Sequence, residues 1–314
     1  MSKRCVMITG SKGFVGQNIT MTILNEHQDE FLLVDFVDPA TGQAPDIRDA
    51  LAVNRTILHR KPDFLIHLAA IAAPRSAQDD PSGAWAVNMM GTLNLAQAIL
   101  QHSRHTRMIW SGSSEAYGNS FNVSTLPIIE NVALEPLNTY GATKAAADIM
   151  LRQMTELGLN VIIFRPFNHS GPGQSTDYVI PTFASQIAKI EANLQEPVIN
   201  VGNLEARRDF LNVKDVVKAY MLALVRPDMQ PGKRYNISTS DPISIKHILD
   251  YFLSITNLDI SVHVDKARFI NSPIPVATGD FSALRDACGW SPKITIEETL
   301  QSVLNYERDK YRLI

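Results

Sequence analysis

Thr9-Gly10-Ser11-Lys12-Gly13-Phe14-Val15-Gly16 is the stretch that decides the fold of this chain. It follows a short apolar run, Val6–Thr9, and leads into a helix. A glycine loop between a strand and a helix lets the backbone approach a pyrophosphate, which then lies on the N-terminus of the helix. The spacing Gly-x-x-Gly-x-x-Gly differs by one residue from Gly-x-Gly-x-x-Gly. By itself the loop is also compatible with a purely structural turn.

The segments around this loop alternate between buried strands and helices. Strands are predicted at Val6–Thr9, Phe31–Val34, Phe64–Leu68, Met108–Trp110 and Val161–Phe164. Helices are predicted at Ala84–Gln101, Gly141–Leu157, Pro181–Glu191 and Val213–Val225. Strands that alternate with helices of this length form right-handed βαβ units. The sequence therefore predicts an α/β protein with a Rossmann-type doubly wound parallel sheet.

The pattern changes from Asn168 onward, where Gly171-Pro172-Gly173 interrupts it. We expect the dinucleotide-binding domain to comprise residues 1–167, with 209–238 returning to it. Residues 168–208 and 239–314 would form a smaller, interleaved α/β domain that binds the substrate.

Composition and charge exclude several classes of protein. Hydrophobic residues make up 45% of the 314 residues and charged residues 19%, with a net charge of −3. No Lys/Arg stripe is available to neutralise a nucleic-acid backbone. The first apolar run is too short for a signal peptide, and no run reaches the ~18 residues of a membrane span. Cys5 and Cys288 lack ligand-like neighbours, which predicts no metal site and favours a reducing cytoplasm.

Asp35 follows the second predicted strand and is the acidic partner expected for a dinucleotide loop. Its carboxylate would accept hydrogen bonds from the adenosine ribose hydroxyls and repel a 2′-phosphate. The next residue is Phe36 and not arginine, so the sequence favours NAD(H). Lys12 in the loop weakens that preference, and NADP(H) stays possible. Asp46-Ile47 comes at a place where an adenine amino group could be held.

Tyr140 and Lys144 are four positions apart at the start of a predicted helix, and so project from one face. A nearby ammonium is expected to lower the tyrosine pKa, which would make Tyr140 a general acid/base near neutral pH. Ser111-Gly-Ser113-Ser-Glu115-Ala-Tyr-Gly118 ends the preceding strand, at the edge where open α/β sheets bind ligands. A single Tyr-x-x-x-Lys, or a serine-rich turn, occurs by chance, but the combination with the glycine loop indicates an oxidoreductase site.

In this order the motifs resemble the extended short-chain dehydrogenase/reductase family over essentially the whole chain. The matching elements are Thr9–Gly16, His67-Leu-Ala-Ala70, Asn88-x-x-Gly-Thr92, Ser111–Gly118, Tyr140–Lys144 and Arg165-Pro-Phe-Asn168. Within this family Arg165–Gln174, Val201–Phe210 and Gly289–Ile296 are similar to the reductases that convert GDP-4-keto-6-deoxy-D-mannose to GDP-D-rhamnose.

The resemblance implies a role for individual residues. Ser113 would bind the sugar carbonyl, Tyr140 would donate the proton, and Lys144 would bind the nicotinamide ribose and tune Tyr140. Asn168 and Arg208 would hold the sugar nucleotide, with Arg208 on its pyrophosphate. The expected cofactor site comprises Gly10, Gly13, Phe14, Val15, Gly16, Asp35, Asp46, Ile47, Leu68, Ala69, Ala70, Ser111, Tyr140 and Lys144.

Three positions carry further expectations. The loop Arg268–Pro275 departs from the Arg-Pro-x-acid pattern of relatives, and Arg268 is expected to make the second pyrophosphate contact from an offset position. Glu115 stands where dehydratases carry a catalytic glutamate, which makes it a possible auxiliary acid/base and a substrate contact. His67 ends a buried strand, where a structural role is favoured.

The favoured function is NAD(P)H-dependent reduction of a GDP-linked 4-keto-6-deoxyhexose. The alternative is a nucleotide-sugar 4-epimerase or 4,6-dehydratase with tightly bound NAD, and a cofactor-sensing regulator without catalysis is disfavoured because Ser113, Tyr140 and Lys144 are all present. A homodimer is expected through the helices Ala84–Gln101 and Gly141–Leu157, although Met89 and Met150 in these helices could equally belong to the core.

Overall fold

The structure is a computed structural model that describes residues 2–265 and 273–312. The strands in chain order are β1 (Arg4–Thr9), β2 (Phe31–Val34), β3 (Phe64–His67), β4 (Arg107–Ser111), β5 (Val161–Pro166), β6 (Asn168–Ser170), β7 (Val198–Val201), β8 (Arg207–Asn212), β9 (Arg234–Ile237), β10 (Pro242–Ser244), β11 (Ser261–Val264) and β12 (Val276–Ala277).

The helices in chain order are α1 (Phe14–Glu26), α2 (Ala50–Arg60), α3 (Pro74–Asp79), α4 (Pro81–Ala84), α5 (Thr92–His102), α6 (Ser120–Val123), α7 (Thr139–Thr155), α8 (Val179–Glu191), α9 (Val213–Val225), α10 (Ile245–Ser254), α11 (Ser282–Cys288) and α12 (Ile296–Arg312). A π-helical turn, Trp85–Gly91, joins α4 to α5, and a 3₁₀ turn, Ser114–Ala116, follows β4.

The main sheet has the strand order β2-β1-β3-β4-β5-β9, and every neighbouring pair in it is parallel. From β1 the chain moves to β2 on one side and then to β3 on the other. The order therefore reverses between β1 and β3, and a crevice outside the carboxyl ends at such a point is where open α/β sheets bind ligands. The predicted doubly wound parallel sheet is confirmed.

Apolar side chains on both faces of the strands explain why this sheet is buried between helical layers. In β1, Val6 and Ile8 face a core that contains α1 and α9, and Met7 faces the opposite core with α2 and α5. Successive residues of a strand point to opposite faces, so a continuous apolar run is needed when both faces are covered.

A second sheet lies beyond the end of β5. In it β8 pairs with β6, β10 and β12, and a third apolar core joins α8, α10 and α12. After β8 the chain returns to the main sheet, because α9 contacts α1 and β9 pairs with β5. The return in strand pairing and helix packing thus begins at Val213, and the domain boundaries themselves stay a prediction. Within the described residues, no helix combines the length and the apolar character required to cross a bilayer.

Candidate active site

A cavity of about 620 Å³ opens at the carboxyl edge of the main sheet, between the glycine loop, the ends of β3 to β5 and the start of α7. The segment after β6 and the first turn of α8 form its other side. The predicted site residues in its wall are Gly10, Gly13, Phe14, Val15, Gly16, Leu68, Ala69, Ala70, Ser111, Ser113, Glu115, Tyr140, Lys144 and Asn168. Residues that are far apart in sequence therefore meet at one cavity.

Other predicted contacts lie outside this wall. Asp35 is exposed directly after β2, which pairs with β1, so it lies at the same edge as the glycine loop. The Asp46 carboxylate accepts hydrogen bonds from the Arg48 guanidinium at 2.9 and 2.5 Å. Ile47 is buried, with its side chain against Gly91 at the start of α5.

Arg208 and Arg268 are the two arginines predicted to contact the pyrophosphate of the sugar nucleotide. Arg208 lies in β8, two residues before the cavity residue Phe210, and its Nη1 donates to the Arg207 carbonyl at 2.8 Å. Burial lowers the pKa of Arg208, and attraction to Glu115 opposes that change. Arg268 lies outside the described residues.

The glycine loop is packed so closely that two of its glycines are required by the protein itself. Gly10 has φ +75°, and a Cβ there would lie 2.7 Å from the Ala69 nitrogen. A Cβ at Gly16 would lie 2.3 Å from the Gly10 carbonyl oxygen. A Cβ at Gly13 would lie 3.2 Å from the Gly10 carbonyl oxygen, a tight contact but a less severe one than at Gly10 or Gly16. The first turn of α1 has no side-chain cap, which leaves backbone N–H groups for an anion.

Ser113 reaches the cavity from the segment after β4, and Tyr140 and Lys144 reach it from the first turns of α7. Ser113 Oγ accepts from the Glu115 N–H at 3.1 Å, and the Ser113 hydroxyl also interacts favourably with the ionised form of Tyr140. The Lys144 ammonium donates to the Ser111 carbonyl at 2.7 Å and lies 5.9 Å from the centroid of the Tyr140 ring. The geometry thus groups a proton donor, a second hydroxyl and an ammonium beside the glycine loop.

Burial controls the proton equilibria of this group. It lowers the pKa of the Lys144 ammonium to about 7. It also raises the pKa of the Tyr140 hydroxyl, and the hydrogen bond with Ser113 offsets only part of that rise. The sequence-based expectation that the Tyr140 pKa is lowered is therefore wrong for this structure, because desolvation of the phenolate outweighs the favourable interaction with Ser113.

Asn138 and Glu115 fix the start of the helix that carries Tyr140 and Lys144. Asn138 Oδ1 accepts from the Gly141 N–H at 2.7 Å as the N-cap of α7, and Asn138 Nδ2 donates to Glu115 Oε2 at 2.9 Å. A Cβ at Gly141 would lie 2.5 Å from the Glu115 carbonyl oxygen. The sequence analysis missed Asn138, although an asparagine directly before a helical pattern is a recognised cap signal.

His67 is a structural residue, as favoured from the sequence. Thr92 Oγ1 donates to the Asn88 carbonyl at 2.6 Å, so it accepts the proton of His67 Nε2 at 2.9 Å. His67 Nδ1 then accepts from Thr9 Oγ1 at 2.7 Å. Burial lowers the pKa of His67 to about 3, which keeps the ring neutral.

Asn88 lies in the π-helical turn and ties two cavity walls together. Its side chain exchanges hydrogen bonds with the Ile71 backbone at 2.8 and 3.1 Å. It also donates to Thr143 Oγ1, between Tyr140 and Lys144, at 3.0 Å.

No group of three or more His, Cys, Asp or Glu that could hold a metal occurs among the described residues.

Comparison with known proteins gives matches along the whole chain. A family model described as GDP-mannose 4,6 dehydratase matches residues 7–303. GDP-6-deoxy-D-mannose reductase of Pseudomonas aeruginosa is 31% identical over 307 residues, covering 96% of each chain. CDP-paratose 2-epimerase of Salmonella typhi is 25% identical over 342 residues, covering 96% of this chain and 98% of that protein. The structure of RMD from Pseudomonas aeruginosa complexed with NADPH has a TM-score of 0.88 at 28% identity, covering 98% of this chain and all of that one.

Proposed function

Because the chain belongs to the GDP-mannose 4,6-dehydratase family, we propose that it reduces the C4 keto group of GDP-4-keto-6-deoxy-D-mannose to give GDP-D-rhamnose, with NAD(P)H as reductant. The predicted membership of the extended short-chain dehydrogenase/reductases is confirmed by the family match. The observation that carries the choice of reaction is the likeness to a GDP-6-deoxy-D-mannose reductase over 96% of both chains.

The residues of the cavity fit a nicotinamide dinucleotide. The first turn of α1, which has no side-chain cap, supports binding of a pyrophosphate there, and the shared position of Lys144 and Tyr140 in the cavity wall supports binding of the nicotinamide ribose beside them. When bound, the nicotinamide supplies a hydride for C4 of the sugar. We propose NAD(H) as the preferred cofactor on the strength of Asp35, with NADP(H) also able to bind.

Tyr140 and Ser113 handle the oxygen of the reacting carbonyl. As C4 gains the hydride, its oxygen becomes an alkoxide, and the Tyr140 hydroxyl gives it a proton. Ser113 donates a hydrogen bond to the same oxygen and stabilises the developing charge. The Tyr140 hydroxyl is protonated at neutral pH, as this direction of reaction requires, and the raised pKa makes it no more acidic.

The other end of the substrate would lie toward the second sheet. We propose that Asn168 and Arg208 hold the sugar nucleotide, with the Arg208 guanidinium on its pyrophosphate. Glu115 accepts a hydrogen bond from Asn138 and attracts the Arg208 guanidinium, and we propose that its carboxylate contacts the substrate. Arg268 is proposed as the second pyrophosphate contact.

The direct test is oxidation of NADH or NADPH by the purified enzyme with GDP-4-keto-6-deoxy-D-mannose, and identification of the product sugar by NMR. Tyr140→Phe should lower kcat by about 10²- to 10⁴-fold, the usual contribution of a general acid. Tyr251→Phe, on α10 in the third core, is the matched control and should retain activity. Turnover of GDP-mannose with copurified NAD, and no reduction of the 4-keto sugar, would instead establish the dehydratase or epimerase alternative.

We further propose a homodimer that forms through α5, α7 and the π-helical turn between α4 and α5. Trp85, Met90 and Ile149 on this face are 42%, 47% and 62% exposed, respectively. Met150 instead packs partly against the core of α2 and α5. Light scattering should give twice the chain mass, and Ile149→Asp should give the monomer mass.

The cytoplasm is the proposed location of the reaction. Cys5 and Cys288 are both free thiols, as expected of a protein kept in a reducing compartment. Cell fractionation would test this, and recovery in an oxidising compartment would contradict it.

A further inference from the structure

A second cavity, of about 980 Å³, lies beside β9, the last strand of the main sheet. The end of α7 and the start of β9 line one side of it, and α11 lines another. Among the described residues, this lining has no member in common with the lining of the active-site cavity. α7 begins at the active site and reaches the second cavity with its last turn, and its 17 residues span about 25 Å. The second cavity is therefore separate from the proposed reaction, and its volume suits a small molecule.

Three cations of this lining are not neutralised by the protein. Arg152 in α7, Lys233 directly before β9 and Arg234 in β9 make no ion pair within the part of the chain that the structure describes. Arg234 Nη2 donates to Asn131 Oδ1 at 3.5 Å, which is long for a hydrogen bond. Burial lowers the pKa of Arg234, and repulsion from Arg165 and from Arg152 lowers it further. Cationic groups that lie together in one cavity wall are typical of a phosphate site.

The fold brings Arg234 to the same side as α7. The side chain of Tyr235 packs in the core with α1 and α9, and successive residues of a strand point to opposite faces. Arg234 therefore points to the face that α7 covers. On that face the Asp148 carboxylate accepts from Arg165 Nε and Nη2 at 2.8 and 2.9 Å. Because Asp148 neutralises Arg165, the charges of Arg152 and Arg234 are left to bind an anion.

The side formed by α11 offers hydrogen-bond acceptors instead. Asp280 precedes α11 and Asp286 lies in it, and both line the cavity. One oxygen of each is used, because Asp280 Oδ1 accepts from the Ser282 N–H at 2.6 Å and Asp286 Oδ1 accepts from Arg285 Nε at 3.0 Å. A carboxylate can accept further hydrogen bonds from hydroxyl groups, and it repels a second phosphate. The remaining acidic residues of the lining, which strengthen this repulsion, are Glu130, Glu156 and Asp228.

We propose that this cavity binds a sugar monophosphate, with the phosphate on the guanidinium groups of Arg152 and Arg234 and the hydroxyls toward the carboxylates of α11. Arginine holds phosphate oxygens through paired N–H···O bonds, and Lys233 adds a third positive charge. A sugar 1-phosphate and a sugar 6-phosphate share this chemistry. The bound phosphate would offset the repulsion between the guanidinium groups, so the ligand should raise the Tm. This site goes beyond the proposed reaction and does not depend on it.

Calorimetric titration with inorganic phosphate, mannose 1-phosphate, mannose 6-phosphate and mannose, all at one ionic strength, tests the proposal. At least one sugar phosphate should bind about fivefold more tightly than inorganic phosphate, the gain expected for one further hydrogen bond. Arg152→Gln and Arg234→Gln should each weaken inorganic phosphate and the sugar phosphate by about tenfold to a hundredfold, as is usual for hydrogen bonds to a charged group. Asp280→Asn should reduce the advantage of the sugar phosphate over inorganic phosphate.

Arg60→Gln is the matched control for Arg152→Gln. Arg60 is likewise an exposed arginine in the last turn of a helix, here α2, and it is not part of the cavity lining. The control should leave every affinity unchanged, and neither variant should change the rate of NAD(P)H oxidation without added phosphate.

Wild-type affinity of both cavity variants for the sugar phosphate would place the ligand elsewhere and overturn the proposal. Equal binding of inorganic phosphate and both sugar phosphates by the wild type, or binding of mannose alone, would also overturn it. The titrations require neither cofactor nor reducible sugar, so their outcome is independent of whether the proposed reduction occurs.

Discussion

Lys144 lies beside the rings of Trp110 and Tyr140, and this environment decides its charge. Its Nζ is 5.1 Å from the Trp110 ring centroid and donates to the Ser111 carbonyl. One hydrogen bond and two aromatic contacts do not replace the water that an ammonium loses on burial, so the pKa of Lys144 falls to about 7. The charged form of Lys144 is therefore destabilised at the place where we propose that the cofactor ribose binds.

Lys144→Met should stabilise the unliganded protein most at pH 7 and below. There Lys144 is charged in both the folded and the unfolded state, and burial of the charge opposes folding. Between pH 7 and 10.5 the unfolded state binds more protons at this residue, so wild-type stability rises with pH by at most about 1.4 kcal/mol per unit. Urea unfolding of both proteins from pH 6 to 9.5 should show their difference shrinking above pH 7; a constant difference would contradict the lowered pKa.

Asp35 should control the choice between the two cofactors. Asp35→Ala removes the carboxylate that would repel a 2′-phosphate, so kcat/KM for NADPH relative to NADH should rise by roughly tenfold, or about 1.4 kcal/mol. Asp29→Ala is the control, because Asp29 is also exposed but precedes β2 at the opposite edge. An unchanged ratio in steady-state kinetics would show that Asp35 does not contact the ribose.

At the scale of elements, α7 carries most of the proposed chemistry and depends on one cap. Asn138 caps the first turn of α7 and donates a hydrogen bond to Glu115. In the next turn, Thr143 accepts a hydrogen bond from Asn88. The positions of Tyr140 and Lys144 therefore depend on contacts at the beginning of the helix.

Asn138→Ala should lower the free energy of unfolding by about 1 kcal/mol, as is usual for a lost N-cap, and should also reduce kcat. Asp49→Ala removes a comparable cap from α2, where Asp49 accepts from Leu51 and Ala52 at 3.0 and 3.1 Å. Both variants should lose similar stability in urea, but only Asn138→Ala should lose activity. Equal activity of the two variants would mean that the cap does not position Tyr140.

The sequence predicted these elements well where the signal is local. The observed bounds of β2 and α9 are the predicted ones, and α7 begins two residues before the predicted Gly141. A smaller α/β domain was expected, but the strands of its sheet were not located, because β6 and β10 have three residues each and pair with β8 from distant parts of the chain. Such short strands show no alternation that distinguishes them from loops.

The same limit applies to the candidate site. Gly10–Gly16, Ser113, Tyr140 and Lys144 were found because fixed spacings carry their chemistry, and the structure brings them to one cavity. The contact between Asn138 and Glu115 was not found, because only the folded chain brings these two residues together. The direction of the Tyr140 pKa was wrong for a related reason, since desolvation is a property of the assembled site.

At the scale of the whole molecule, one buried guanidinium links the sheet, α7 and the returning strand. Arg165 in β5 is 1% exposed, and its Nε and Nη2 donate to Asp148 in α7 at 2.8 and 2.9 Å. Its Nη1 donates to the Tyr117 hydroxyl and to the Glu130 carbonyl, each at 2.9 Å. Tyr117 in turn donates to Asn236 of β9 at 2.7 Å. The strand β9, which returns to the main sheet after the second sheet, is thus linked to β5 and α7 beside the proposed active site.

Removing one partner of the Arg165–Asp148 pair should lower the free energy of unfolding far more than replacing both partners. Asp148→Leu leaves an uncompensated buried guanidinium and should lower the free energy of unfolding by about 3–5 kcal/mol, and Arg165→Met should act similarly on the carboxylate. The double variant buries no charge and should recover much of that loss. The exposed pair Lys246–Asp250 is the control, where Asp250→Leu should change stability by less than about 1 kcal/mol. If the losses in free energy of unfolding of the two single variants add up in the double variant, Arg165 and Asp148 act through other partners. The attachment of β9 then does not depend on their charges.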